Sequence, residues 1–210
     1  MTNWLLRTFI KNSDHPEDPK VRAAVGILSG IVGIFCNILL FGGKLAVGLL
    51  TRSVSITADA MNNLSDATSS VVTMLGFRLA ERPADEEHPF GHARYEYLSG
   101  LAVSALILII GVELAKSSLD KVLHPAAVEF GWTTAAVLAG SILVKLWMSL
   151  FNTKLGKTIH SATLAATAAD SRNDVITTSA VLLAALIEHF TAFRADGWMG
   201  LAVSCFILYS

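Results

Sequence analysis

The stretch Ala58-Asp59-Ala60-Met61-Asn62-Asn63-Leu64-Ser65-Asp66 sets acidic and amide side chains inside a segment that otherwise reads as membrane-spanning. Farther along, Ala169-Asp170-Ser171-Arg172-Asn173-Asp174 does the same. Carboxylates are costly in hydrocarbon, so an intramembrane acid marks function by default. Asn62 and Asp66 are spaced i, i+4, as are Asp170 and Asp174. On an α-helix that spacing puts each pair on one face, separated by about 6 Å along the axis. Two such helices face to face would offer a cage of four oxygen ligands.

The surrounding composition supports a membrane setting. Of 210 residues, 53% are hydrophobic and only 16% charged, and the mean hydropathy is +0.55, too apolar for an ordinary soluble domain. A bilayer core takes roughly 20 apolar residues per helix. On that measure spans are expected near 24–50, 56–79, 97–122, 132–153, 161–187 and 197–210. The predicted fold is all-α: a polytopic, six-helix transmembrane bundle occupying residues 22–210, preceded by a cytosolic arm at residues 1–21. The sixth span reads as truncated, with no soluble domain after it. The start from Thr2 to Arg22 is too long and too mixed in charge for a cleavable leader. Cys36 and Cys205 lie in apolar runs without CxxC spacing and are expected to be buried free thiols. A net charge of -1 and the lack of a dense basic run exclude nucleic acid as a partner.

Basic residues orient the chain. Arg7, Lys11, Lys20, Arg22, Arg78, Arg82, Arg94, Lys154 and Lys157 fall on one side, against Arg52, Lys116, Lys121 and Arg194 on the other. The positive-inside rule then puts the N-terminus and the 80–96 and 154–160 loops in the cytoplasm of a multi-pass cell-membrane protein. Lys44 and Lys145 lie inside spans and are expected to snorkel toward the nearer interface, outside any site.

Hard oxygen donors of moderate charge suit a divalent cation that must bind and then leave. Hydrogen-bonding glue between helices is the plainer account, but three acids without a matching stripe of bases fit it poorly. Arg172 falls two residues from both Asp170 and Asp174 and points off their face. Asp59 lies near the start of its span, where it serves either as an ordinary helix-start acid or as an outer vestibule group. Ser65, Asn63 and Asn173 flank the ligands as hydrogen-bond partners. Small residues (Ser29, Gly30, Gly33, Gly42, Gly43 and Gly48 in the first span, Gly100, Ala102 and Ala105 in the third) read as close-packing surfaces.

Asp85, His88 and His92, in the loop before the third span, have spacing that could gather one carboxylate and two imidazoles around a metal. Solvated loop side chains are the alternative. Glu86 and Glu87 would enrich cations there. His15, His124, His160 and His189 read as solvated or interfacial.

With these residues in view, the chain resembles the cation diffusion facilitator family. The resemblance rests on the order of spans, on Leu49-Leu50-Thr51-Arg52-Ser53-Val54-Ser55-Ile56-Thr57-Ala58-Asp59-Ala60, on the acidic pairs of the second and fifth spans, and on the loop from Pro83 to His92. It implies a four-residue transport site at Asn62, Asp66, Asp170 and Asp174, and in some members a second metal at the positions of Asp85, His88 and His92. It also implies proton antiport, a homodimer with the third and sixth spans nearer its seam, and a C-terminal cytosolic domain that this sequence lacks. Zinc carriers of the family usually place a histidine at one or both first positions of the pairs, where this chain has Asn62 and Asp170.

Zinc favours nitrogen and sulfur in tetrahedral sites, whereas an all-oxygen set favours manganese or magnesium at higher coordination number. The donor set also looks like the manganese-exporting branch. The expected function is therefore Mn2+ efflux by alternating access, with zinc, iron or cobalt as alternative cargo. Metal and protons would compete for the same carboxylates, since coordination needs the deprotonated form. No resident cofactor and no enzymatic activity are expected. An intramembrane metalloenzyme would need a nucleophile or general base, yet HExxH, GxSxG and a paired Gly-Asp signature are missing from the sequence. A non-transporting scaffold or sensor is the remaining alternative.

Overall fold

A computed structural model describes residues 10, 17–51, 54–86, 88–124, 131–191 and 196–209. Most of the expected N-terminal arm, with His15, lies outside the described residues, as do Arg52, Glu87 and Arg194, and so does the side chain of His189. Among the described residues there are six helices and no strand: α1 Pro19–Thr51, α2 Val54–Ala80, α3 Arg94–Leu123, α4 Trp132–Ile159, α5 Ala162–Thr191 and α6 Asp196–Tyr209. α1, α3 and α4 are long and apolar enough to cross a bilayer. α2 and α5 fall short on composition because they carry the acid and amide pairs, and α6, with 14 residues, is shorter than the roughly 20 a full span takes. The chain is an all-α, multi-pass membrane protein.

Contacts group the residues into two units, Met1–Ser104 with Met148–Ala169, and Ala105–Trp147 with Asp170–Ser210. In the first, α1 and α2 run antiparallel along a glycine seam. A Cβ at Gly30 would stand 2.5 Å from Met74 Cβ, and one at Gly33 would stand 2.5 Å from Ser70 Oγ; no side chain fits at either position, so the backbones approach closely. Gly26 lies under the Phe77 ring and Gly48 against Thr57. Gly42 and Gly43 depart from the expected packing role, meeting nothing within 4 Å among the described residues.

Buried hydroxyls and amides cross-link this unit: Ser29 Oγ donates to Asn152 Oδ1 at 2.7 Å, the Thr73 and Thr167 hydroxyls meet at 3.2 Å, and Ser149 Oγ donates to the Ala168 carbonyl at 2.9 Å. Such bonds between helices in a membrane are worth about 0.6–2 kcal/mol each. At one end Arg22 grips Glu96 through two 2.7 Å bonds and also donates to the Ile159 carbonyl. Glu96 is buried and further accepts from Ser161 Oγ at 2.7 Å, while its carbonyl accepts from Thr163 at 2.6 Å. This clasp ties the first turns of α1, α3 and α5 to the end of α4.

Helix ends follow local rules. Asp18 caps α1 by accepting from Lys20 N at 2.9 Å with Pro19 in the first helical position, and Ser161 caps α5 by accepting from Leu164 N. α4 ends on a left-handed His160 (φ 48°), with Ser161 N donating to the Gly156 carbonyl at 3.0 Å, a closure that usually employs glycine.

In the second unit α3, α5 and α6 pack around Ala180, Val203 and Ile207, with Ile107, Leu114, Ile176 and Met199 against them. Gly200 admits Ser118 and Gly197 admits Val122. Neither cysteine forms a disulfide among the described residues; Cys36 is buried, whereas Cys205 is exposed on α6, contrary to expectation.

Candidate functional site

Asn62 and Asp66 lie one turn apart on α2 in the first unit, and Asp170 and Asp174 one turn apart on α5 in the second. Asp66 is buried and Asn62 exposed. Asp170 and Asp174 are half-buried, and a carboxylate oxygen of each lies within 4.8 Å of the other. Two carboxylates that close repel unless a cation sits with them. Arg172 is exposed, as its offset from the acidic face requires.

The cation beside Asp174 is Lys145. Its Nζ lies 2.7 Å from Asp174 Oδ2, and the side chain is 5% exposed. Lys44 behaves alike in the first unit, with its Nζ 2.7 Å from Asp59 Oδ2 and its side chain 4% exposed. Neither lysine snorkels. An ammonium buried in a helix bundle loses its water and must find an anion, and in each case the next helix supplies one. Asp59 is thus the counter-ion of Lys44. Sequence reasoning missed both pairs because a lone lysine in an apolar span reads as snorkelling toward an interface. The available signal was the acid on the following helix.

Among the flanking polar residues, Asn63 donates Nδ2 to the Asp59 carbonyl at 2.8 Å, and Ser65 Oγ donates to the Met61 carbonyl at 3.5 Å, so both bond to their own helix. Asn63 Oδ1 and both polar atoms of Asn173 are buried without a hydrogen-bond partner among the described residues, as is Asn37 Oδ1 on α1. An unpartnered buried amide group costs about 1–3 kcal/mol, so these atoms ask for a ligand or a water.

The α2–α3 loop brings Asp85, His88 and His92 together, each offering one ligand atom within 4.8 Å of the others. His88 N donates to Asp85 Oδ1 at 2.6 Å, His88 Nδ1 lies 3.1 Å from the same oxygen, and His92 Nε2 lies 3.5 Å from Asp85 Oδ2. The backbone N–H of His88, above all, holds the Asp85 carboxyl below its usual range. His92 Nδ1 lies 3.0 Å from the Pro83 carbonyl; a carbonyl only accepts, so the proton sits on Nδ1 and the Nε2 lone pair is left for a metal. The imidazole rings of His88 and His92 are 4.5 Å apart and His92 stacks on Tyr95. One carboxylate and two imidazoles fit zinc or a similar divalent cation. His124 and His160 are exposed, as expected.

Residues 30–210 match the cation efflux transmembrane domain. The chain belongs to that family. This cation efflux domain is 28% identical over 165 residues to the manganese efflux system protein MneS of Bacillus subtilis, covering 79% of the chain and 57% of the relative. It is 33% identical over 159 residues to the uncharacterized transporter YdbO of the same organism, covering 75% and 54%. An uncharacterized transporter of Methanocaldococcus jannaschii is 29% identical over 177 residues, covering 84% and 62%. The chain thus spans a little over half the length of these curated relatives.

Proposed function

We propose that the chain exports a divalent metal cation, most of all Mn2+, from the cytoplasm across the cell membrane in exchange for protons. The observation that carries this reading is the donor set: a buried Asp66 one turn from Asn62, and Asp170 and Asp174 with carboxylate oxygens within 4.8 Å of each other. In this reading the four residues form one transport site supplied by α2 and α5. All four donors are oxygens, which suits manganese over zinc, and kinship with a named manganese efflux protein supports the same choice.

Cargo would enter from the side of the N-terminus and the α2–α3 loop, lose water to the four oxygens, and leave on the far side once the helices rearrange. Protons then compete with metal for Asp66, Asp170 and Asp174, which gives antiport without a separate proton site. Asn62 does not titrate, so this set exchanges one proton fewer than four ionisable ligands would. Asp85, His88 and His92 form a second cation site on the cytoplasmic side, and the working unit is a homodimer.

The test is metal flux into proteoliposomes under an imposed proton gradient, with Mn2+, Zn2+ and Mg2+ compared for the parent, Asp66→Ala and Asp170→Ala. Gradient-dependent Mn2+ flux lost in both variants is the expected result. Flux unchanged by either substitution refutes the site, and flux of Zn2+ alone refutes the choice of cargo.

A further inference from the structure

The antiparallel register of α1 and α2 can be read from their contacts. Gly33 stands against Ser70, and Lys44 pairs with Asp59. Asn37 is one helical turn past Gly33 and two turns before Lys44, while Asp66 is one turn before Ser70 and two turns past Asp59. Both countings set Asn37 opposite Asp66, within the same unit. Asn37 is 2% exposed, and its Oδ1 has no hydrogen-bond partner among the described residues.

The orientation of the amide follows from its neighbour. Ser70 Oγ donates its hydrogen to the Asp66 carbonyl at 3.0 Å, so it accepts from Asn37 Nδ2 at 3.5 Å. Exchanging the two arms of the amide would set two acceptors against each other once the serine hydrogen is spent. The nitrogen therefore faces Ser70, and the oxygen is the arm left over at the level of Asp66. A buried carbonyl oxygen beside a carboxylate, with no donor to satisfy it, is arranged for a cation.

We infer that Asn37 Oδ1 is a further oxygen ligand for the transported cation, supplied by α1 next to Asp66. The inference rests on Asp66 being a cargo ligand. It adds a fifth protein oxygen to the site and so raises the coordination number, which favours Mn2+ over a cation content with four donors. Ser70 is a positioning residue, holding the amide so that its oxygen is presented.

The test uses the full chain, purified, with equilibrium binding of Mn2+ and the visible absorption of bound Co2+, a band intense in four-coordinate sites and weak at higher coordination. Asn37→Leu should weaken Mn2+ binding by about tenfold or more and intensify the Co2+ band. Asn37→Asp, which keeps an oxygen there, should bind Mn2+ at least as tightly as the parent. Parent-like Mn2+ affinity and Co2+ band in Asn37→Leu, with both lost in Asp66→Ala, overturn the inference and leave the transport site standing. Parent-like binding in Asp66→Ala removes the premise instead. Should Asn37→Leu fail to fold, Asn37→Asp decides: a folded variant with weakened Mn2+ binding overturns the inference.

Discussion

The two units contain the same device used in two ways. Each buries one lysine and sets its ammonium 2.7 Å from an aspartate on the following helix, with aspartate side chains of similar exposure, 25% for Asp59 and 31% for Asp174. What differs is the company the acid keeps. Asp59 lies three residues before Asn62 and spends its charge on Lys44. Asp174 lies within 4.8 Å of Asp170, so the Lys145 ammonium occupies an oxygen that cargo would need. A neutralising pair is structural in the first unit and, on the proposed function, a competitor of cargo in the second.

The strongest test of this contrast is Asp174→Ala, which removes a proposed ligand and breaks its buried pair with Lys145. Loss of about 3–5 kcal/mol is expected for a broken buried pair, seen as a fall in thermal unfolding temperature, together with abolished Mn2+ flux in proteoliposomes.

Lys44→Met and Lys145→Met separate the two uses. Both should lose stability by a few kcal/mol, since each leaves a buried acid without its partner. Only Lys145→Met should alter Mn2+ affinity measured by equilibrium binding, tightening it by about tenfold as roughly 1.4 kcal/mol of competition is removed. Equal effects on affinity would erase the distinction. Adding Asp59→Leu to Lys44→Met should recover most of the lost stability, because an apolar pair replaces a buried ion pair at little net cost.

A smaller change calibrates the first unit without touching either lysine. His160 is exposed and left-handed at the end of α4. His160→Gly removes a strain of about 1 kcal/mol, so the unfolding temperature should rise while Mn2+ binding stays constant.

The smallest effect concerns a charge outside both pairs. Asp85 is solvent-exposed, and its carboxyl is held below the ordinary range chiefly by the His88 backbone N–H. Its folded pKa is thus lower than its unfolded value of about 3.9. The stabilisation is present above that value and fades as pH falls through the lowered folded one. NMR titration of the α2–α3 loop should show Asp85 protonating below the pH at which an ordinary aspartate does. A midpoint at or above the ordinary value contradicts the hydrogen bond from His88 N to Asp85.

Much of this was legible in the residues themselves. Six apolar or amphipathic stretches foretold six helices, and i, i+4 spacing put each acid pair on one face, because both features depend only on local periodicity. Asp85, His88 and His92 also came together as their spacing suggested. The partners of Lys44 and Lys145 were not legible, since helical spacing says which face a side chain occupies and not which neighbour covers it. Asn37 escaped for a related reason: a lone amide in an apolar span carries no pattern, and it gains meaning only through the glycine seam that fixes the α1–α2 register. The Arg22–Glu96 clasp was hidden likewise, because its parts come from helix ends far apart in the chain.

The Lys44–Asp59 pair also bears on how the chain enters a bilayer. A single charge within an inserting helix costs up to about 2.5–3.5 kcal/mol, and Lys44 of α1 and Asp59 of α2 are two such charges. Because these helices are consecutive, Lys44 and Asp59 emerge from the ribosome within seconds of each other at about 5–20 residues per second. A hairpin of α1 and α2 can then insert with Lys44 and Asp59 already neutralising each other, before any later helix has been made. The pair that locks the register in the finished protein is, during synthesis, a membrane passport issued by the first two helices to each other.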